Sequence, residues 1–184
     1  ETWHVLGDAE SCHRLGRMMW GLAHQLRAGT FVVVDQRHLV PNPFDADPSS
    51  PLVIVNSDLG TPSRRGFDRL RALLPWRTAS EGTVRLRTPG LELAQADEDE
   101  FLAAERRSGA AYDRQRQRSR IDEVNGLLVL AAPASKLRHW ALDVGVLGDH
   151  SHLGSDSTYL DRPTVNGEVQ ALDDFDPNFN IVEP

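Results

Sequence analysis

The sequence predicts an α+β fold: a mixed β-sheet of about five to six strands with three to four helices, followed by an acidic C-terminal arm. Short β-branched apolar runs alternate with longer stretches whose apolar residues recur every three or four positions, as in buried strands and amphipathic helices. Charge divides the chain, because residues 1–147 carry 19 acidic and 19 basic residues, whereas residues 148–184 carry eight acidic residues and one arginine. We therefore predict a single domain over 1–147 and an arm over 148–184 that packs on the domain or on a partner.

The first third of the chain predicts three strands and one helix. Trp3–Gly7 forms a short strand, and Asp8 caps a helix that ends at Gly29. The apolar face of this helix carries Cys12, Leu15, Met19, Leu22 and Leu26. Thr30–Asp35 and Leu52–Asn56 are apolar without alternation, which predicts strands buried on both faces. The four prolines from Gln36 to Pro51 predict a loop between them.

The middle of the chain predicts two helices and a hairpin. Thr61 and Pro62 are a capping hydroxyl and a proline at the first helical position, and Pro75 ends this helix. Its apolar face carries Phe67, Leu70, Leu73 and Leu74. Thr83–Ala94 alternates on both sides of a Thr-Pro-Gly turn, which predicts a hairpin. The acids at the start of Asp97–Ile121 and the arginines at its end match the dipole of one long helix.

The domain ends with a buried strand, Leu127–Ala132, and a helix with Leu137, Trp140, Ala141 and Val144 on its apolar face. The arm that follows carries nine large apolar residues: Leu153, Tyr159, Leu160, Val165, Val169, Leu172, Phe175, Phe179 and Ile181. A disordered acidic tail would lack so many. We therefore expect an ordered arm with these side chains buried.

The composition excludes several classes of protein. The longest apolar run, Gly126–Ala134, is far shorter than the ~20 residues of a membrane span. No signal sequence is visible, so we expect a cytoplasmic protein. The single cysteine, Cys12, excludes an intramolecular disulfide and cysteine-rich metal sites, and its position predicts a core thiol. The arginine-rich basic residues, with Lys136 as the only lysine, are typical of a GC-rich bacterial or phage genome.

Three aspartates are candidates for a catalytic magnesium site. Asp8, Asp35 and Asp58 each lie at or just past the carboxyl end of a predicted strand, where carboxylates can bind Mg²⁺ in a hydrolase or nuclease. The connection between the second and third strands has no crossover helix, however, so direct pairing would make these strands antiparallel. Asp35 and Asp58 would then lie at opposite ends of the sheet. Helix-cap and turn roles are the simpler interpretation.

The segment GDHSHLGSD, residues 148–156, is a candidate metal site. His150 and His152 with Asp156 or Asp149 could bind a transition metal such as zinc. The glycines at both ends favour a polar hinge between the domain and the arm instead.

An arginine-rich stretch is the candidate partner-binding surface. It comprises Arg106, Arg107, Arg114, Arg116, Arg118 and Arg120, on a helix with few apolar residues. Nucleic-acid phosphates could bind such a surface, but the body of the chain is neutral and no aromatic residues separate the arginines. A solvated helix face is favoured over nucleic-acid binding, and the acidic arm or a partner protein is the favoured counterpart of the arginines.

The leading hypothesis is a non-enzymatic protein-binding module, namely a regulator, an immunity-type protein or an accessory subunit. Its partner is another protein or a second copy of this chain, and the acidic segment would attract a basic partner. The alternatives are a metal-dependent hydrolase or nuclease that uses the aspartates or the His150 segment, and a nucleic-acid-binding protein. Neither a membrane partner nor a cofactor is expected, except Mg²⁺ or Zn²⁺ under the hydrolase alternative. Motifs of phosphate-loop, dinucleotide-binding, serine-hydrolase and zinc-protease sites do not occur.

Overall fold

Seven strands and five α-helices form the described part of the chain, which in this computed structural model comprises residues 3–39, 50–75, 86, 88–107, 119–149, 155–161 and 166–172. The strands are β1 (His4–Gly7), β2 (Phe31–Val34), β3 (Leu52–Asn56), β4 (Arg120–Glu123), β5 (Leu128–Ala132), β6 (Ser155–Asp161) and β7 (Asn166–Leu172). The α-helices are α1 (Ala9–Ala23), α2 (Arg64–Leu73), α3 (Leu91–Ala96), α4 (Glu98–Arg107) and α5 (Ala134–Gly145). Short 3-10 helices cover Gln36–His38 and Ser57–Leu59. The α+β class is confirmed.

The strands form two sheets. The four-stranded sheet has the order β2-β3-β5-β4, in which β3 and β5 are parallel and the two outer strands are antiparallel to their neighbours. The three-stranded sheet has the order β1-β7-β6, with β7 parallel to β1 and antiparallel to β6. Both sheets are therefore mixed, as predicted, but the strands are divided between two sheets.

Helices cover both faces of the four-stranded sheet. Leu52 and Ile54 of β3 belong to the apolar cluster that includes α1 and α5, whereas Val53 and Val55 belong to the cluster that includes α2. All residues of β3 and β5 are buried. Burial on both faces explains why these strands lack polar alternation, and the predictions for both are confirmed.

Helices α1 and α5 make a close backbone contact at Gly16 and Gly145. A Cβ on Gly16 would lie 2.8 Å from Cα of Gly145 and 2.9 Å from the carbonyl oxygen of Ala141. The helix α1 begins as predicted, because Oδ1 of Asp8 accepts a hydrogen bond from the Ser11 backbone N–H at 2.8 Å. Its predicted face is buried at Cys12, Leu15, Met19 and Leu22.

The C-terminal strands join the N-terminal strand and the helices. Strand β7 pairs with β1, and Nε1 of Trp140 on α5 donates a 2.7 Å hydrogen bond to the carbonyl oxygen of Leu160 in β6. Asn166 links the two sheets: its Oδ1 accepts from the Trp3 backbone N–H at 3.1 Å, and its Nδ2 donates to the carbonyl oxygen of Ile121 at 3.2 Å. Of the apolar residues predicted to be buried in the arm, Leu160, Val169 and Leu172 are buried, and Tyr159 is half-buried. Leu153, Val165, Phe175, Phe179 and Ile181 lie outside the described residues. The division of the chain at residue 148 stays a prediction.

Three predictions for the first half of the chain were wrong in detail. Helix α1 ends at Ala23 rather than at Gly29, and Leu26 is 93% exposed. Strand β2 is not buried on both faces, and among the described strands it lies at the edge of its sheet. Helix α2 begins after Ser63, whose hydroxyl accepts from the Gly66 backbone N–H, and not at Thr61.

Two predictions for the middle of the chain were also wrong. The second strand of the hairpin predicted over 83–94 is instead the start of α3, which follows a turn at Gly90 with a φ of +86°. The long helix predicted over 97–121 ends, in the described residues, at Arg107, and Ile121 lies in β4. Among the described helices, none combines the length and the apolar character needed to cross a membrane.

Candidate functional site

The three candidate aspartates do not meet at one point. Strands β2 and β3 are antiparallel, with Val34 opposite Leu52 and Phe31 opposite Val55. Asp35 therefore lies at the start of β3, whereas Asp58 lies beyond its other end, so that about 13 Å of strand separates the two ends. Asp8 follows β1, in the other sheet.

Each of these carboxylates has a structural partner. Asp58 Oδ2 accepts a 2.9 Å hydrogen bond from the backbone N–H of Ala134, the first residue of α5. Asp35 is only 3% exposed, and its Oδ2 lies 3.3 Å from Nε of Arg37. Asp8 caps α1, and hydrogen bonds from the Ser11 side chain and backbone N–H lower the pKa of its carboxyl group. Within the described ranges, no group of three His, Cys, Asp or Glu side chains is arranged to hold a metal ion.

The segment GDHSHLGSD is described only at its ends, and His150 and His152 lie outside the described residues. Gly148 adopts a φ of +87°, and its backbone N–H donates to Oδ2 of Asp156 at 3.4 Å. Oδ1 of Asp149 lies 3.1 Å from Nε2 of His13 on α1. Both aspartates thus contact other described residues where the chain leaves α5, and metal binding by the histidines stays a prediction.

The six candidate arginines do not share one helix. Arg106 and Arg107 lie at the end of α4, but their side chains are not among those described. Arg114, Arg116 and Arg118 lie outside the described residues altogether. Arg120 lies instead in β4, where its Nε is 3.2 Å from Oδ2 of Asp122. The long-helix prediction was wrong because the chain returns to the sheet by Arg120.

A surface that sequence reasoning missed is the outer edge of β2. Among the described strands, four lie at a sheet edge, and β2 (FVVV) is the one of these that contains no polar residue. The others contain polar residues: β4 is RIDE, β6 is SDSTYLD, and β1 is HVLG with His4 Nδ1 2.8 Å from Oε2 of Glu168. Phe31 is 36% exposed, and the highly exposed Leu26 precedes it by five positions.

The sequence signal for this edge was weak. A β-branched apolar run has the same appearance in an edge strand and in a central one, and only the strand's neighbours distinguish them. Charged or proline residues usually protect an edge, and Arg27 and Asp35 come close to β2 in sequence without lying in it. Comparison of the chain with known protein families, with curated proteins and with solved structures found no match.

Proposed function

We propose that this protein is a non-enzymatic protein-binding module, a cytoplasmic regulator or accessory subunit that needs no cofactor, and that its partner adds a strand to β2. The observation that carries the proposal is the contrast among the four described edge strands: only β2 lacks a polar residue. The outward N–H and C=O groups of such an edge are a template for an extended segment of another chain.

Both faces of β2 favour an apolar segment. Val32 and Val34 pack against the cluster that includes α1 and α5, whereas Val33 packs against the cluster that includes α2. Because side chains of an added strand alternate between the two faces, each would extend one of these clusters. Phe31, which lies in the strand, supplies further exposed apolar surface, and the exposed Leu26 precedes it by five positions in the sequence. The segment that fits is extended and apolar on both faces, and it contains no proline.

Charge favours a basic partner over a second copy of this chain. The net charge is −7, so two copies repel each other at long range, whereas a basic protein is attracted. Such attraction raises the association rate more than the affinity. The partner is therefore a basic protein that presents an extended apolar segment.

A model peptide tests strand addition directly. The probe is a fluorescent peptide with four central valines, flanked by threonines and by two lysines at each end, and its binding is measured by fluorescence anisotropy. Phe31→Lys is the test variant and Leu93→Lys the matched control, because both add one positive charge at an exposed apolar residue. We expect the wild type and L93K to bind the peptide alike, and F31K to bind at least tenfold more weakly.

Two results would overturn the proposal. One is equal binding of the peptide by F31K and L93K, provided that both variants have the melting temperature of the wild type. The other is undiminished binding of a peptide in which proline replaces two central valines, because proline cannot donate the ladder hydrogen bonds. Sedimentation equilibrium tests the alternative that the partner is a second copy of this chain. If the wild type is a dimer and F31K is a monomer, the partner at β2 is another copy of this chain and not a basic protein.

A further inference from the structure

A cleft of about 450 Å³ lies where α1, α3 and the end of α5 meet. Its volume is within the range of small-molecule binding sites in proteins. The side chains that matter for binding are His13, Arg17, Leu91, Gln95, Val146 and Asp149. None of them belongs to β2, so this site is independent of the proposed partner surface.

Two of the lining residues, Gln95 and Gly145, contact each other. Nε2 of Gln95 donates to the carbonyl oxygen of Gly145 at 3.0 Å. A Cβ on Gly145 would lie 2.8 Å from the same Nε2 atom, so a larger residue there would require the Gln95 amide to shift. The backbone contact between Gly16 and Gly145 fixes α1 against α5 on the other side.

The cleft carries one cation and one anion. Arg17 is exposed and makes no ion pair within the part of the chain that the structure describes. The Asp149 side chain is 46% exposed. His13 is one turn from Arg17 on α1, about 6 Å between Cβ atoms, and its Nε2 lies 3.1 Å from the Asp149 carboxylate. The cleft is thus lined by one positively and one negatively charged side chain.

One polar atom in the cleft lacks a hydrogen bond. Nε2 of His13 is shielded from solvent, and the geometry of its 3.1 Å contact with Asp149 does not make a hydrogen bond. Unsatisfied polar atoms of this kind are rare in folded proteins and often mark functional positions. The lining also includes apolar side chains, with Leu91 buried and Val146 half-buried.

We propose that this cleft binds a free α-amino acid with an aliphatic side chain. Its carboxylate binds the Arg17 guanidinium, which offers two parallel donors. Its ammonium group binds Asp149, and the aliphatic side chain packs against Leu91 and Val146. A zwitterion matches both charges of the cleft, whereas a simple anion meets the Asp149 carboxylate and a simple cation meets Arg17.

Three related probes test which charged groups of the ligand are needed for binding. They are L-leucine, N-acetyl-L-leucine, which lacks the ammonium group, and L-leucinamide, which lacks the carboxylate. Binding is followed by ¹H–¹⁵N NMR titration of the full chain. We expect leucine to shift the amide signals of residues in α1 and α3, and both analogues to bind at least tenfold more weakly. Absence of leucine-dependent shifts at 50 mM would overturn the proposal.

Variants separate a binding role from a structural one. Arg17→Gln should weaken leucine binding at least tenfold, whereas Arg14→Gln, on the same helix but paired with Glu10 at 2.8 Å, should leave it unchanged. Asp149→Asn should weaken leucine binding and strengthen binding of N-acetyl-L-leucine, because the repulsion between two carboxylates is removed. A structural defect would weaken both probes together. Equal binding of leucine and N-acetyl-L-leucine by the wild type would show that Asp149 does not bind the ammonium group, and would refute the proposal.

Discussion

The hydrogen bond between Trp140 and Leu160 should carry a large share of the attachment of β6 to the rest of the fold. Both residues are completely buried, and the indole Nε1 donates to the Leu160 carbonyl oxygen at 2.7 Å. Trp140→Phe removes the donor and leaves a buried acceptor unsatisfied, which costs about 1–3 kcal/mol. The smaller ring also leaves a void, although truncation of an aromatic residue to alanine, at about 3–5 kcal/mol, sets the upper limit. We expect a loss of about 2–3 kcal/mol in the free energy of unfolding.

Trp20→Phe is the matched control, because it removes the same donor from a weaker bond. Nε1 of Trp20 donates to the carbonyl oxygen of Pro89 at 3.3 Å in a partly buried position, where water can replace the lost donor. The expected loss is about 1–2 kcal/mol, because Trp20 is 3% exposed and the smaller ring leaves a void there too. Urea denaturation followed by far-ultraviolet circular dichroism measures both losses by linear extrapolation. If W140F loses no more free energy than W20F, the buried bond does not stabilise β6 as argued.

Three further predictions concern α1. Gly16→Ala should lower the free energy of unfolding by about 1–2 kcal/mol, as measured by thermal melts. The new Cβ would clash with the backbone of α5, and this overpacking outweighs the higher helix propensity of alanine. Gly66→Ala, whose nearest neighbour is a side-chain carbon at 3.2 Å, should be neutral or stabilising, and an equal loss in both variants would contradict this. Burial raises the pKa of the Cys12 thiol to about 11, helped by the Asp8 carboxylate, so thiol reagents at pH 8 should react only as fast as the protein unfolds. Complete labelling of the native protein within minutes would refute this. The pKa of Asp8 is lowered in the folded protein. The stabilisation that the ionised carboxylate provides is therefore fully present at pH values above the ordinary pKa of 3.8, and it is lost as the pH falls through the lower pKa of the folded state. Asp8→Asn should keep the cap but remove this pH dependence, whereas D8A should lose about 1 kcal/mol in urea melts at pH 7.

The sequence correctly predicted those elements in which burial follows a regular pattern along the chain. In β3 and β5 every residue is buried, and in α1 the buried face repeats every three or four positions from Cys12 to Leu22. Such patterns are local, so they can be recognised without knowledge of the neighbours.

The hairpin prediction shows where local patterns become ambiguous. Leu91 and Leu93 alternate with polar residues, which indicates a strand, but Leu91 and Ala94 are spaced as on one face of a helix. In the structure Leu91 and Ala94 are buried and Leu93 is 78% exposed, so the helical spacing is correct. Six residues are too few to separate the two periods. The choice is made by the packing of α3 against the rest of the fold, which the sequence of α3 does not contain.

The cleft could not be predicted for a related reason, since its residues come from α1, from α3 and from the end of α5 with the turn after it, which are distant in sequence. Taken singly, His13 is a polar residue on an amphipathic helix and Asp149 is an acid in a polar segment. They come within 3.1 Å of each other because α1 and α5 approach to backbone contact at Gly16 and Gly145. A larger residue at either glycine would move the helices or displace Gln95, and the contact between His13 and Asp149 would be lost. Gly16 and Gly145 carry no side chain that could bind a ligand, so a search of the sequence for polar and charged residues does not find them. These two positions nevertheless determine which polar residues of α1 and of the segment after α5 come together.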